Sequence, residues 1–199
     1  MIALAFIGDG PRDQAIVPKL VERVLGAAVG APYNAIWKDI RLNRGSGLDR
    51  KLAFALAEAK SDGLAGLVAT IDEDTIPGRL AQLEQARAAD RERAPPFPLA
   101  IGEARPHGEA WLLDDAVAVR KALGLDSSTH VPAPHQCKEP KRELEALHAR
   151  SRSSGERYLE SFARIAELVE VARCPQRDRT GFEEFAKDVR RELGALAHS

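Results

Sequence analysis

The sequence predicts an α/β protein: a four-stranded parallel sheet flanked by helices, with a helical C-terminal half. Three observations predict it. Short apolar runs alternate with helical stretches over residues 2–101, the pattern of a parallel sheet covered by crossover helices. Acidic clusters stand directly after the first and third runs, where an open parallel sheet binds its ligands. Beyond about residue 105 the alternation stops and helical stretches follow one another.

Residues 2–7 read as a buried strand stopped by Gly8. Pro11 suits a first helical turn, and Ala15, Ile16, Leu20, Val21, Val24 and Leu25 form one apolar stripe that Gly26 ends. A second strand is expected over residues 33–40, centred on Ile36 and Trp37, and then a polar loop over 41–47. A helix over 48–60 leads to a third strand over 64–71. A helix over 77–93 ends at Pro95-Pro96, and a fourth strand covers 97–101. Helices are then expected over 109–113, 116–123, 138–151, 156–171 and 180–196, with a Ser/Pro/His loop over 126–136. The natural division is an α/β core over residues 1–105 and a helical extension over 106–199 packed on it as one compact domain.

The chain has 199 residues, room for one sizeable core. With 29 Lys and Arg against 30 Asp and Glu, its net charge of −1 carries no global signature of nucleic-acid binding. No apolar run approaches a membrane span. Met1 leads straight into a strand without a basic segment, so a secretory signal is not expected and the cytoplasm is the expected location. Two cysteines, Cys137 and Cys174, are too few for a disulfide scaffold. His130, His135 and Cys137 fit no strong zinc template. A Walker A lysine motif and a Gly-x-Ser-x-Gly elbow are both missing from the sequence.

The chemistry concentrates at the strand ends. Gly8-Asp9-Gly10 with Asp13 follows the first strand, and Asp72-Glu73-Asp74 follows the third. Asp72 and Asp74 are two apart, so an extended backbone aims both to one side. Converging carboxylates repel unless a cation neutralises them, and hard oxygen ligands suit magnesium or manganese. Asp13 has two readings: a first-turn carboxylate favoured by the helix dipole, or a ligand. Glu109 follows the fourth strand and either caps a helix or completes the metal shell. Arg105, His107, Lys138 and Lys141 are candidate nucleic-acid contacts, each with an alternative reading as a solvated surface group. Trp111 reads as core packing between sheet and helical layer, and Cys174 as buried.

A strand-terminal acidic residue, a β/α repeat and a strand-terminal Asp-x-Asp together resemble the Toprim domain of topoisomerases, bacterial primases and overcoming-lysogenization-defect (OLD) nucleases. Asp9-Gly10 with Asp13, and Asp72-Glu73-Asp74, occupy the motif positions. The chain is similar over nearly its whole length to an uncharacterised bacterial Toprim-related family. The likeness rests on Glu109-Ala110-Trp111-Leu112-Leu113-Asp114-Asp115, on Pro140-Lys141-Arg142-Glu143-Leu144, and on Arg173-Cys174-Pro175 followed by Phe182 and Phe185. The resemblance implies a magnesium- or manganese-dependent nuclease acting as effector of an anti-phage or mobile-element defence system. Asp9, Asp72, Asp74 and Glu109 would be catalytic, and Asp9, Asp72, Asp74 and Asp13 would hold metal. It also implies nucleic acid as substrate, an ABC-type ATPase as partner and a possible homodimer. The departure is Asp9, which stands where the OLD-like branch has Glu and is one methylene shorter. That departure motivates a second expectation, a non-catalytic module docking on an ATPase. Receiver-like and phosphatase-like domains fit less well. A receiver carries a single Asp after its third strand, and haloacid-dehalogenase-type phosphatases carry Asp-x-Asp after the first.

Overall fold

The computed structural model describes residues 1–198 except 43–44, 74–75, 94, 152–153 and 156. Four strands, β1 (Ile2–Gly8), β2 (Val29–Ile36), β3 (Gly66–Asp72) and β4 (Leu99–Ala104), form one all-parallel sheet in the order β2-β1-β3-β4. Helices α1 (Pro11–Leu25), α2 (Leu48–Ser61) and α3 (Arg79–Arg91) are the crossovers. Five further helices follow: α4 (Glu109–Leu113), α5 (Ala116–Leu123), α6 (Pro140–Ala149), α7 (Tyr158–Leu168) and α8 (Phe182–Leu193). None of the helices among the described residues is long and apolar enough to cross a membrane.

Strand alternation sorts the side chains onto two faces. Leu4, Phe6, Val68 and Ala100 point to one face, where they share a core with α1 and the C-terminal helices. Ala5, Ile7, Leu67, Ala69, Leu99 and Ile101 point to the other, against α2 and α3. The C-terminal helices therefore complete the sheet's first face. Phe185 of α8 packs so closely on β4 that a Cβ at Gly102 would lie 2.5 Å from its ring. Trp111 is fully buried and stacks on Phe182 and Phe185 at centroid distances of 5.5 and 4.8 Å, and its indole N–H donates to the Thr180 carbonyl. It is core, as its sequence context suggests, and Cys174 is also buried.

Chain order sets the crossovers. From β1 the chain passes to β2 on one side, and from β2 it jumps over β1 to β3 on the other. The direction of winding thus reverses between β1 and β3, which makes the crevice beyond their carboxyl ends the topological switch point. Helix α1 is anchored beside it despite Pro18 in its interior. Pro18 has no N–H for the Gln14 carbonyl, and the Asn34 side-chain amide of β2 takes that acceptor at 2.9 Å. The Gln14 side chain returns a bond to the Asn34 carbonyl at 2.7 Å.

The second strand differs from expectation. It runs over Val29–Ile36 rather than residues 33–40. Trp37 ends it: its backbone N–H still reaches the Gly8 carbonyl, but its indole crosses β1 to donate to the Thr70 carbonyl at 2.8 Å. Tertiary anchoring of the large ring, not strand alternation, produced that apolar signal. The fourth strand likewise starts and ends later than residues 97–101, and α6 and α7 are shorter than expected.

Candidate functional site at the switch point

A cleft of about 210 Å³ opens at the carboxyl ends of β1 and β3, lined by the acids Asp9, Asp13, Asp72 and Glu109 and by Arg12, His107 and Lys141. Each carboxylate arrives by a separate local cause. Asp9 follows the last residue of β1. Asp13 lies in the first turn of α1 and reaches back, so that the Asp9 and Gly10 N–H groups donate to its Oδ2 at 2.7 and 2.9 Å. That return path needs Gly8, because a Cβ there would lie 2.3 Å from the Asp13 Cβ. Asp72 is the last residue of β3, and its Oδ1 accepts the Gly108 N–H at 3.1 Å. Glu109 opens α4 and is buried, with Arg12 Nε 3.1 Å from its Oε1.

These carboxylates crowd one another. Burial, followed by the charges of Asp13, Asp9 and Glu109, pushes the Asp72 carboxyl up to about 8, and the Gly108 N–H offsets only part of that. Burial pushes Asp13 up to about 6, against the lowering effect of its two backbone bonds. Close acidic groups pushed this far from their usual range mark functional-site candidates.

Asp9 is held differently. Arg79 Nη1 donates to its Oδ2 at 3.0 Å, Arg79 Nη2 grips its Oδ1, and the Asp72 backbone N–H donates to its Oδ2 at 2.6 Å. His107 Nδ1 lies 3.4 Å from Asp72 Oδ2. Lys141, at the start of α6, is exposed and lines the cleft.

Of the residues expected from sequence, the fold brings together Asp9, Asp13, Asp72, Glu109, His107 and Lys141. Asp74 lies outside the described residues. Arg105 faces elsewhere: its Nε is 3.3 Å from Glu103 and it lines a depression beside β4. Lys138 is exposed and is not among the residues lining the cleft. Two arginines were not anticipated. Arg12 links the cleft to the helical layer: its Nε lies 3.1 Å from Glu109 as an ion pair without hydrogen-bond geometry, its Nη2 donates to Glu145 of α6 at 2.6 Å, and its guanidinium lies 5.3 Å from the Tyr158 ring centre. Arg79 holds Asp9. Both sit in a first helical turn, where the dipole disfavours a cation; that misplacement is the sequence signal that a carboxylate stands opposite.

In chemistry, Asp13, Asp72 and Glu109 are the oxygen donors that a hard divalent cation takes, and they line one cleft; the elevated Asp72 carboxyl follows first from burial and then from its acidic neighbours. Among the described residues, no group of three or more His, Cys, Asp or Glu is drawn tightly enough to hold a metal as it stands. Comparison with protein-family models, with curated proteins and with solved structures gives no match for the chain.

Proposed function

We propose that the chain is a metal-dependent nuclease of Toprim type, hydrolysing phosphodiester bonds at the β1/β3 crevice. The observation that supports it most is the convergence of Asp13, Asp72 and Glu109 there, with Asp72 pushed up to about 8 by burial and its acidic neighbours. Magnesium or manganese would be held among these carboxylates, supplying Lewis-acid polarisation of a phosphoryl oxygen and a more acidic bound water. The chain's own groups do the remainder. Gly108 and the Asp9 carboxylate hold Asp72 in place, through its side chain and backbone N–H respectively. Arg12 orients Glu109. His107 and Lys141 stand where the charge of a phosphodiester backbone needs compensation. Hydrolysis adds water across one P–O bond, leaving a phosphomonoester on one product and a hydroxyl on the other. Because the net charge is only −1, a basic partner or a second copy would supply further nucleic-acid surface. An effector role in a defence locus, beside an ABC-type ATPase, is the setting this reading suggests.

The engagement of Asp9 by Arg79 favours one other reading, a non-catalytic module that docks on an ATPase through its helical layer. Cleavage of plasmid DNA, single-stranded DNA and RNA with manganese or magnesium separates the two. The nuclease reading expects metal-dependent cutting that falls by about 100-fold or more in Asp72→Ala. Cutting that survives unchanged in Asp72→Ala would sink it. So would no cutting with metal and the ATPase partner both present.

A further inference from the structure

We infer that the crevice takes a single-stranded nucleic acid, with one base unstacked onto the ring of Tyr158 and the adjoining phosphates beside Lys141 and His107. The inference rests on the phosphodiester reading above and names its substrate class.

Tyr158 opens α7 and is 41% exposed, yet its ring is held. The Arg12 guanidinium lies 5.3 Å from the ring centre, and the Phe162 ring stands 5.7 Å away at 59°. Arg12 is fixed in turn, since its Nη2 donates to Glu145 at 2.6 Å. The same arginine lines the cleft together with His107 and Lys141, so Tyr158 adjoins the cationic side of the crevice. Phe162, one turn further along α7, offers the contrast: it is fully buried and belongs to the core. A tyrosine fixed by its neighbours but open to solvent loses little freedom when a flat partner lands on it. Aromatic rings beside cationic groups are how proteins hold unpaired bases, because every base has a π-face.

The other wall agrees. Helix α7 packs on the first face of the sheet and α3 on the second, so the crevice beyond β1 and β3 opens between the starts of these helices. Just before α3 stands Ile76, 62% exposed, in the segment that leaves Asp72. The crevice therefore has an aromatic ring on one side and an exposed aliphatic side chain on the other, as a splayed base requires. Its volume of about 210 Å³ is far below what a duplex needs. A duplex keeps its bases stacked away from any such platform. A chain of net charge −1 also offers little of the continuous positive surface that a duplex backbone favours.

Fluorescence anisotropy of the full-length chain with labelled strands of about ten nucleotides, in chelator so that nothing is cut, tests the platform. The probes are a DNA strand, the same sequence as RNA, the DNA strand with its central bases removed, and the DNA duplex. Wild type should bind both single strands, and should bind the abasic strand and the duplex about tenfold more weakly. Tyr158→Ala should lose about tenfold on the single strands and nothing on the abasic strand. Tyr158→Phe, which keeps the ring, should bind within about twofold of wild type. Tyr158→Leu keeps apolar bulk against Phe162 without a ring, guards against a folding defect in the alanine variant, and should bind as that variant does. A purely structural ring predicts equal losses on normal and abasic strands, and that result overturns the platform. Duplex binding as tight as single-strand binding overturns it too, as does wild type that binds none of the probes. The nuclease reading is decided separately, by the cleavage assay. Tyr158-dependent strand binding without metal-dependent cutting upholds the platform and sinks hydrolysis. Metal-dependent cutting by a chain whose strand binding ignores Tyr158→Leu does the reverse.

Discussion

A single buried carboxylate at one edge of the sheet and a cluster of mostly part-buried ones at its crevice are solved in opposite ways. At the outer edge of β4, Asp188 of α8 accepts the Ile101 N–H at 2.8 Å, pairs with Arg87 at 2.7 Å and is also gripped by Arg191. At the β1/β3 crevice, the Asp72 carboxylate has, among the described residues, one backbone N–H and a distant imidazole, and faces Asp13, Asp9 and Glu109. The first is a structural joint in which donors and cations match the acid. The second sets acid against acid. Asp188 is the more enclosed of the two, its side chain 10% exposed against 24% for Asp72, so depth alone does not set the crevice acid apart; the supply of partners does. An acid set among other acids, at the position where the winding reverses, marks a candidate ligand site.

The comparison breaks most visibly at Asp188. Asp188→Ala removes one of the two carboxylates on Arg87, leaving Glu84, and strips the acceptor from the Ile101 N–H. It should cost about 3 kcal/mol, the upper end for leaving a buried donor without its acceptor. The check is a chemical denaturation curve, and a midpoint within error of wild type would show that the joint contributes nothing. Next in size is the opposite result at the crevice. The unfolded chain releases the Asp72 proton near pH 4, whereas the folded, metal-free chain keeps it until about pH 8. The contribution of this carboxyl to stability is therefore complete below pH 4 and declines as pH rises towards 8. Asp72→Asn keeps an oxygen for Gly108 and removes the charge, so it should raise the Tm of the metal-free chain by roughly 5 °C at pH 8 and scarcely at pH 4. Equal shifts at both pH values would contradict charge crowding as the cause. The smallest effect is expected at Lys141, which is exposed at the rim. Lys141→Ala should leave Tm unchanged, weaken nucleic-acid binding about threefold and reduce its salt dependence by about one counterion, read from a binding titration over several salt concentrations.

The crevice was legible in the sequence because its carboxylates follow from local rules. Asp9 and Asp72 mark strand ends, and Asp13 lies one helical turn beyond Asp9. The arginines that sort those carboxylates were not legible. Arg79 meets Asp9 across 70 residues and Arg12 meets Glu145 across 133, and no spacing rule links positions so far apart. The same holds for the fold. Strand β1 and helix α1 ended where Gly8 and Gly26 placed them, since their signals are intrinsic to the backbone. Strand β2 slid because Trp37, its strongest apolar signal, is anchored by a bond to Thr70 rather than by the strand. The Arg105 side chain could not be assigned a direction from sequence, since Glu103 captures it only once β4 has formed.

The covering of β4 has one more consequence. Its outward backbone is matched by the chain itself: the Asp188 carboxylate takes the Ile101 N–H, the Thr180 carbonyl takes the Arg105 N–H, and Gly181 presses against the Glu103 carbonyl. Segment and helix stand where a fifth strand would add. Growth of the sheet on that side is closed by residues far along the chain, and a chain lacking α8 would present a bare strand edge to whatever other strand it meets. The helical half is in that sense a stopper against self-association as well as a roof over the core.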